Sequence, residues 1–268
     1  MTPEPALSVQ QLLAFYLEAG VDCALAEEPV NRLAEPEIAP RRVDTVPTQP
    51  ARPSPVPLPL PPGETPPAPD AAIASAREAA RTAPTLADLR QLMERFDGCA
   101  LKATATRLVF ADGNPEARIM FVGEAPGRDE DIEGLPFVGR SGKLLDRMIG
   151  AIGLDRTKAY IANVIPWRPP GNRTPTPQET QICLPFIQRQ IELANPDVLV
   201  SLGGPSATTL LNVKEGILKS RGRWLTYQTG TREIRAIATL HPAYLLRQPL
   251  QKRLAWRDFL AIKKALAG

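Results

Sequence analysis

The sequence has no run of about 18 apolar residues, so we predict no membrane-spanning segment and no membrane partner. Its first residues, MTPEPALS, include no basic segment, so we expect no secretion signal. Cysteine occurs only at Cys23, Cys99 and Cys183, and these scattered positions fit no disulfide framework. Together these observations favour a protein of the reducing cytoplasm.

Two common nucleotide-binding motifs are absent as well. A P-loop requires G-x4-G-K-[ST], but around Gly142-Lys143 the first glycine is replaced by Phe137 and the hydroxyl residue by Leu144. No G-x-G-x-x-G fingerprint occurs either. We therefore do not expect the chain to bind a nucleoside triphosphate.

Proline is concentrated in one segment, where it makes up 11 of the 23 residues 47–69. Such a run can neither pair in a sheet nor continue a helix, and it reads as an extended linker. The net charge changes nearby, from −5 over residues 1–84 to +8 over residues 85–268. We predict an N-terminal helix region (1–35), a disordered Pro-rich linker (36–84) and one α/β domain (85–268). Its positive charge suits a polyanionic partner.

The N-terminal segment SVQQLLAFYLEAG predicts a short amphipathic helix. Ser8 and Gln11 form a capping box, Gly20 is a stop signal, and the apolar residues keep the spacing of one helical face. Such a helix on a tether could bind the protein's own body or a protein partner.

The basic region alternates apolar runs with helical patterns. Four buried strands are predicted within ARIMFVGEAPG, AYIANVIPWRPPG, DVLVSLGG and IRAIATLHP. Helices are indicated by Thr85 as a cap, by SGKLLDRMIGAIG, by Thr176 followed by Pro177, and by GGPSATTLL. The alternation predicts a doubly wound α/β fold, with a central, mainly parallel four-stranded sheet and helices on both faces. Ligands bind at the carboxyl ends of the strands in such sheets.

The first strand-end loop, GEAPGRDEDIEGLPFVGRSGK, combines an acid, an aromatic ring and a helix start. Glu124 could activate water or stabilise a developing cation. Ser141 begins a helix whose backbone amides, with Arg140 beside them, could hold a phosphate. Each feature also has an ordinary explanation, with Glu124 as a solvated loop charge and Phe137 as a core anchor.

The later loops contribute an amide and the chain's only histidine. Asn163 could pair with a nucleobase edge, although asparagine at a strand end is commonly a turn former. His241 opens HPAYLLR, where a structural histidine and a packed apolar tongue would be ordinary. Because all these loops lie at one edge of the predicted sheet, we expect both side chains to share a pocket with Glu124 and Phe137.

Three motifs resemble one known family in order and spacing: GEAPGRDEDIEGLPFVGRSGKLLD, YIANVIPWRPPGNRTPTPQE and LHPAYLLRQP. They are similar to the family 4 branch of the uracil-DNA glycosylase superfamily, from about Cys99 to the C-terminus. The resemblance implies hydrolysis of the bond between uracil and deoxyribose in DNA, leaving an abasic site. The expected partner is uracil-containing DNA, single- or double-stranded, and the base must be flipped out of a duplex.

The resemblance also implies roles for particular residues. Glu124 and His241 match the catalytic pair, one orienting water and the other holding uracil O2 as negative charge grows there. Uracil would stack on Phe137, be read by Asn163 and contact the backbone near Ala125. Leu245 matches the leucine that intercalates in the base stack, and the expected DNA-binding residues with it are Arg140, Ser141 and Arg247.

The chain departs from the family at its iron–sulfur cluster. Of four ligand positions, Cys99 and Cys183 match the second and fourth, whereas Phe96 and Trp167 stand at the first and third. Two thiolates cannot supply the four ligands of such a cluster. We therefore predict no iron–sulfur cluster and no other metal.

Two other functions remain open on sequence alone. One is a damage-binding protein that recognises uracil or abasic DNA with little turnover. The other is an unrelated α/β hydrolase of small nucleotides, which would not need Leu245 as a wedge. For all three functions we expect a monomer.

Overall fold

The computed structural model describes residues 69–267 of the 268-residue chain. The predicted N-terminal helix of residues 8–20 therefore lies outside the described residues, as does most of the predicted linker. Within the described range, no helix combines the length and the apolar character that crossing a membrane requires.

Helices and strands alternate along the described chain. Its ten α-helices are α1 (Pro69–Thr82), α2 (Leu86–Arg95), α3 (Leu101–Thr104), α4 (Arg128–Glu133), α5 (Arg140–Ala151), α6 (Pro177–Ala194), α7 (Gly204–Leu211), α8 (Ile217–Ser220), α9 (Pro242–Arg247) and α10 (Lys252–Ala267). Its six strands are β1 (Asp112–Gly113), β2 (Ile119–Gly123), β3 (Tyr160–Asn163), β4 (Val198–Leu202), β5 (Trp224–Gln228) and β6 (Glu233–Thr239). Short 3-10 helices cover Arg156–Lys158, Pro170–Asn172 and Pro249–Gln251.

The six strands form one sheet in the order β1-β3-β2-β4-β6-β5. The four central strands are parallel, and they are the four that the apolar runs predict. The structure adds β1 and β5, which pair antiparallel at the two edges. The predicted doubly wound α/β class is therefore confirmed, with a sheet of six strands instead of four.

Alternate residues of the central strands enter different layers of the core. Met120 and Val122 of β2 pack with α1, α2 and α6 on one face of the sheet. Ile119 and Phe121 of the same strand pack with α5 and α10 on the other face. Because successive strand residues point to opposite faces, a strand covered on both sides reads as a continuous apolar run.

Helix α1 corrects the predicted domain boundary at residue 85. Its buried residues Ala72, Ala76 and Ala80 recur every four positions and join the core that α6 lines. The Pro-rich linker therefore does not extend to residue 84. Alanine is a strong helix former but only weakly apolar, and proline is compatible with a helix start, so α1 lacks a clear sequence signal beside the Pro-rich run.

The strand order also positions the functional loops. The chain passes from β2 to β3 on one side and then returns to β4 on the other side of β2. Such a reversal opens a crevice at the carboxyl ends of the strands, where ligands bind in open α/β sheets. The loops after β2, β3, β4 and β6 all meet there.

Candidate active site

A cavity of about 560 Å³ lies at this crevice. The loops after the four central strands line it, which is the convergence expected from the sequence. Of the residues singled out in the sequence, those that line the cavity are Glu124, Ala125, Phe137, Ser141, Asn163, His241 and Arg247. Those that do not are Arg140, Leu245, Cys99 and Cys183.

Asn163 ends β3 and is only 5% exposed. Its amide oxygen Oδ1 is buried and has no hydrogen-bond partner within residues 69–267. A buried acceptor without a donor is costly, and native structures usually supply one from protein, water or ligand. The cavity at Asn163 therefore fits a ligand that presents an N–H or O–H group to this oxygen.

Phe137 forms another part of the cavity wall, close to Asn163. Its backbone has a φ of 55°, a left-handed conformation that bulky residues rarely adopt. A Cβ atom on Gly123 would lie 2.4 Å from Asn163 Oδ1 and 2.6 Å from the Phe137 ring. Glycine at the end of β2 thus leaves the space in which the amide and the ring come together.

His241 lies beside the same ring, with 5.5 Å between the centroids of the Phe137 and His241 rings. Its Nδ1 atom accepts a hydrogen bond of 3.1 Å from the backbone N–H of Ala243, and through this bond His241 caps α9. Burial, with a smaller effect from the positive charge of Arg247, lowers the pKa of His241 to about 4. The imidazole is therefore neutral at pH 7, and because Nδ1 accepts, its proton lies on Nε2, which can donate.

Glu124 follows β2 and is partly buried at the cavity. Burial raises its pKa above the ordinary carboxyl value of 4.5, because desolvation disfavours the charged form. The cavity thus contains a neutral histidine with a lowered pKa and a carboxyl group with a raised one. Such opposed shifts are typical of catalytic sites.

Glu130, the middle one of three consecutive acidic residues, supports this wall. Glu130 is buried, lines the cavity and accepts hydrogen bonds from the backbone N–H groups of Val138 (3.1 Å) and Gly139 (3.0 Å). These amides lie at the start of α5, where the sequence suggested a phosphate site next to Arg140 and Ser141. Since Glu130 already occupies the two amides, and Arg140 is exposed outside the cavity, only Ser141 of that pair borders it.

Leu245, the residue predicted to act as the wedge, is buried in the structure. Leu245 is 1% exposed and packs with Leu240 and Ala255, against α5 and α10. A side chain packed in this way cannot enter a base stack from the folded position. The exposed leucine of α9 is its neighbour Leu246, which is 37% exposed. The residues after His241 form a helix, and adjacent helical residues point in different directions.

The iron–sulfur ligands implied by the family resemblance do not fit the residues present. Cys99 and Cys183 are both buried, with 3.9 Å between their Sγ atoms. Phe96 and Trp167 stand at the two other ligand positions, with stacked rings whose centroids are 6.5 Å apart. The ring of Phe186 meets Phe96 edge-on at 5.0 Å. Aromatic side chains therefore occupy positions where two further thiolates would be required.

Sequence reasoning missed two residues that support the site, Glu130 and Arg156. Arg156 donates to the carbonyl oxygens of Pro136 and Phe137 and pairs with two carboxylates. In the sequence, Glu130 is only an acidic residue between two glycine-containing turns, and nothing there indicates that it bonds the loop amides. Arg156 lies far along the chain in LDRTKAY and offers no sequence signal.

The fold and the site together define a doubly wound α/β protein with a polar, partly buried cavity at its strand reversal. The chain belongs to the uracil DNA glycosylase superfamily, because its residues 110–260 match the sequence pattern of that family.

Several proteins with similar sequences share the name of one branch of this superfamily. The Type-4 uracil-DNA glycosylase of Archaeoglobus fulgidus is 42% identical over 168 residues, covering 61% of this chain and 84% of that protein. The enzyme of the same name from Thermotoga maritima is 43% identical over 156 residues, covering 58% and 80%. The one from Saccharolobus solfataricus is 42% identical over 175 residues, covering 63% and 81%.

The protonation of His241 can be measured directly, because the chain has no other histidine. We expect its NMR titration in the folded protein to have a midpoint near pH 4, against 6.5 for an unperturbed histidine. A folded-state pKa below the unfolded value stabilises the fold above pH 6.5, and this contribution is lost as the pH falls towards 4. A midpoint near 6.5 in the folded protein would contradict the assignment, and the urea-unfolded chain supplies the reference.

Proposed function

We propose that this protein is a uracil-DNA glycosylase, which flips uracil out of DNA and hydrolyses its N-glycosidic bond. The observation that supports this most is the buried amide oxygen of Asn163 without a donor, in a cavity that also presents Phe137 and His241. Membership of the family, and relatives named for this activity, support the same conclusion.

Uracil presents the hydrogen-bond donor that the Asn163 oxygen lacks. Its N3–H is a donor placed between two carbonyl acceptors, so Asn163 Oδ1 can accept from N3 while the amide nitrogen donates to O4. Cytosine has no hydrogen on N3 and would leave the same oxygen facing an acceptor. The flat face of the base stacks on Phe137, and the backbone at Ala125 borders its edge.

The chemical step needs stabilisation at both ends of the breaking bond. As the bond between C1′ and N1 breaks, its electron pair moves onto the base and spreads to O2. His241 donates from Nε2 to this oxygen, as a prearranged neutral donor. Glu124, in its carboxylate form, offsets the positive charge on the sugar and orients the water that adds to C1′. The water's proton leaves to the carboxylate or to solvent.

The DNA backbone crosses the mouth of the cavity in this proposal. Arg247 borders the cavity and is exposed, and Ser141 lies at its rim, so both can contact phosphate. Arg140 is exposed close by in sequence. Leu246 replaces Leu245 as the proposed wedge, because it is the exposed leucine of α9. Apolar side chains inserted between bases hold an unstacked duplex open.

We further propose that the protein works without an iron–sulfur cluster. Support comes from the stacked rings of Phe96 and Trp167, which are 8% and 2% exposed and belong to the same core cluster as the two buried thiols. Cys23 lies outside the described residues and outside the motifs of the family.

Three expectations from the sequence remain predictions. They are a monomeric protein, a cytoplasmic location, and a protein partner for the N-terminal helix. The rival damage-binding function is disfavoured by the presence of Glu124 and His241 with shifted pKa values in one cavity. The activity of the wild-type protein on uracil-containing DNA distinguishes the two.

The activity is tested with an end-labelled oligonucleotide that contains one uracil, treated with alkali after reaction. We expect cleavage at uracil and none at thymine or cytosine controls. Glu124→Gln and His241→Ala should each lower the single-turnover rate at least about tenfold, since acid–base and oxyanion groups contribute at least that much. Glu116→Gln, an exposed acid remote from the cavity, is the matched control and should keep full activity.

The pH dependence of the excision rate tests the role of Glu124. The wild-type rate should fall on the acid side as Glu124 takes a proton, at a pH above its ordinary value of 4.5, whereas Glu124→Gln should lack this acid limb. If the wild-type protein binds uracil-containing DNA but does not cleave it even when the protein is in excess, the damage-binding function is favoured.

The wedge is tested by comparing two adjacent leucines. Leu246→Ala should slow excision from duplex DNA more than from single-stranded DNA, because only the duplex needs a wedge. Leu245→Ala removes a buried side chain and should lower the melting temperature, with a cost of about 2–5 kcal/mol. A larger duplex-specific loss in Leu245→Ala than in Leu246→Ala would show that α9 rearranges on DNA.

The cofactor proposal is tested by iron analysis and a visible spectrum of protein purified without oxygen. We expect a colourless protein with less than one iron atom per chain. The variant Phe96→Cys/Trp167→Cys supplies the missing thiols, and it serves as the comparison after cluster reconstitution. A brown wild-type protein containing about four iron atoms would overturn the proposal.

A further inference from the structure

The stacking residue Phe137 has a strained backbone that the local sequence does not explain. Left-handed conformations are common for glycine and asparagine, and within residues 69–267 the three other non-glycine residues with positive φ are all asparagines. A phenylalanine held there carries backbone strain, which native structures tolerate only where other contacts offset it. Surrounding contacts must therefore stabilise this conformation.

Arg156 provides one such set of contacts from outside the cavity. Its guanidinium donates to the carbonyl oxygen of Phe137 and, at 3.2 Å, to that of Pro136. The same group pairs with Asp112 of β1 and, at 2.8 Å, with Asp146 of α5. Because the guanidinium is planar and has five donors, one side chain can connect the loop to two elements in a fixed geometry.

Helix α5 provides the complementary space. A Cβ atom on Gly142 would lie 1.6 Å from the carbonyl oxygen of Phe137, so only glycine admits this oxygen against the helix. On the other side, Glu130 holds the backbone amides of Val138 and Gly139. The loop is thus held at its carbonyls by Arg156 and at its amides by Glu130.

We propose that Arg156 is a positioning residue for base recognition, which acts by holding Phe137 in its left-handed conformation. This inference rests on the proposed function, because it assumes that the target base stacks on Phe137. Arg156 is not among the residues that line the cavity, so in this proposal it acts without touching the base. Its two carbonyl contacts fix the direction in which the Phe137 side chain leaves the backbone, and therefore the tilt of the ring beside Asn163 and His241.

A purely structural role for Arg156 predicts a different pattern of activity. If Arg156 only stabilises the fold, its loss should affect excision equally whether or not residue 137 has a ring. If it acts through the ring, its loss should matter only when the ring is present. A double-mutant cycle separates these cases, since residues that act through one another are not additive.

The cycle uses single-turnover excision from single-stranded uracil DNA at saturating protein, with thermal unfolding as a check on folding. We expect Phe137→Ala to slow excision about tenfold to a hundredfold, the usual effect of losing one base–aromatic stack. Arg156→Met should slow it about tenfold in the wild-type background and less than about threefold in the Phe137→Ala background. Arg156→Lys, which keeps the charge but not the fork, should resemble Arg156→Met.

Gly142→Ala is a second variant that disturbs the same carbonyl from the helix side. It should show the same dependence on the Phe137 ring. Its matched control is Gly150→Ala in the same helix, where an added Cβ meets no atom within 4 Å. Arg118→Met is the control for Arg156, because Arg118 also pairs with an aspartate and a backbone carbonyl but is exposed and away from the cavity.

The outcomes distinguish this inference from the proposed function. Excision by the wild type, with equal losses from Arg156→Met in both backgrounds, would overturn the role of Arg156 and leave the glycosylase function intact. Full activity of Arg156→Met would have the same meaning. A folded wild type that excises no uracil would overturn both.

Discussion

The site depends on one constraint, the withdrawal of an amide oxygen from water at the end of β3. Asn163 Oδ1 is buried beside the space that Gly123 leaves open, without a donor in the described part of the chain. Leaving such an acceptor unpaired costs about 1–3 kcal/mol, so a ligand that supplies a donor regains that free energy on binding. The free protein is less stable because this oxygen is unpaired, and a base that lacks a donor at this position leaves it unpaired. Selectivity against such a base then follows from the fold itself.

The same desolvation sets the protonation of the two catalytic side chains in the proposed reaction. It lowers the pKa of His241 and raises that of Glu124, because burial disfavours the charged form of each. At pH 7 the lowered pKa leaves His241 a neutral donor, whereas the raised pKa of Glu124 makes its carboxylate easier to protonate than an ordinary one. The hydrogen bond from Ala243 to Nδ1 directs the remaining imidazole proton to Nε2. A single feature of the fold, the sheltered edge of a parallel sheet, therefore prepares recognition and chemistry together.

The sequence predicts the parts of this arrangement that follow from local patterns. Apolar runs identify the four central strands, and because parallel strands share one carboxyl edge, they also bring Asn163 and His241 together. Contacts between distant segments leave no such pattern, which is why Arg156 and the packing of α1 are not predicted. The burial of Leu245 escapes prediction for another reason: a motif match fixes its position in the chain, whereas the helical direction of α9 decides which leucine faces solvent. The antiparallel edge strands β1 and β5 are short or half-exposed, and their signal is correspondingly weak.

Whether Asn163 Oδ1 accepts the N3–H of a flipped uracil can be decided by removing that hydrogen from the substrate. The measurement compares single-turnover release of uracil and of 3-methyluracil from otherwise identical single strands, by wild type and by Asn163→Ala. We predict that the wild type releases the methylated base at least about a hundredfold more slowly, because the buried oxygen then stays unpaired against a methyl group. In Asn163→Ala the difference between the two bases should largely disappear. Equal release of both bases by the wild type would contradict the account.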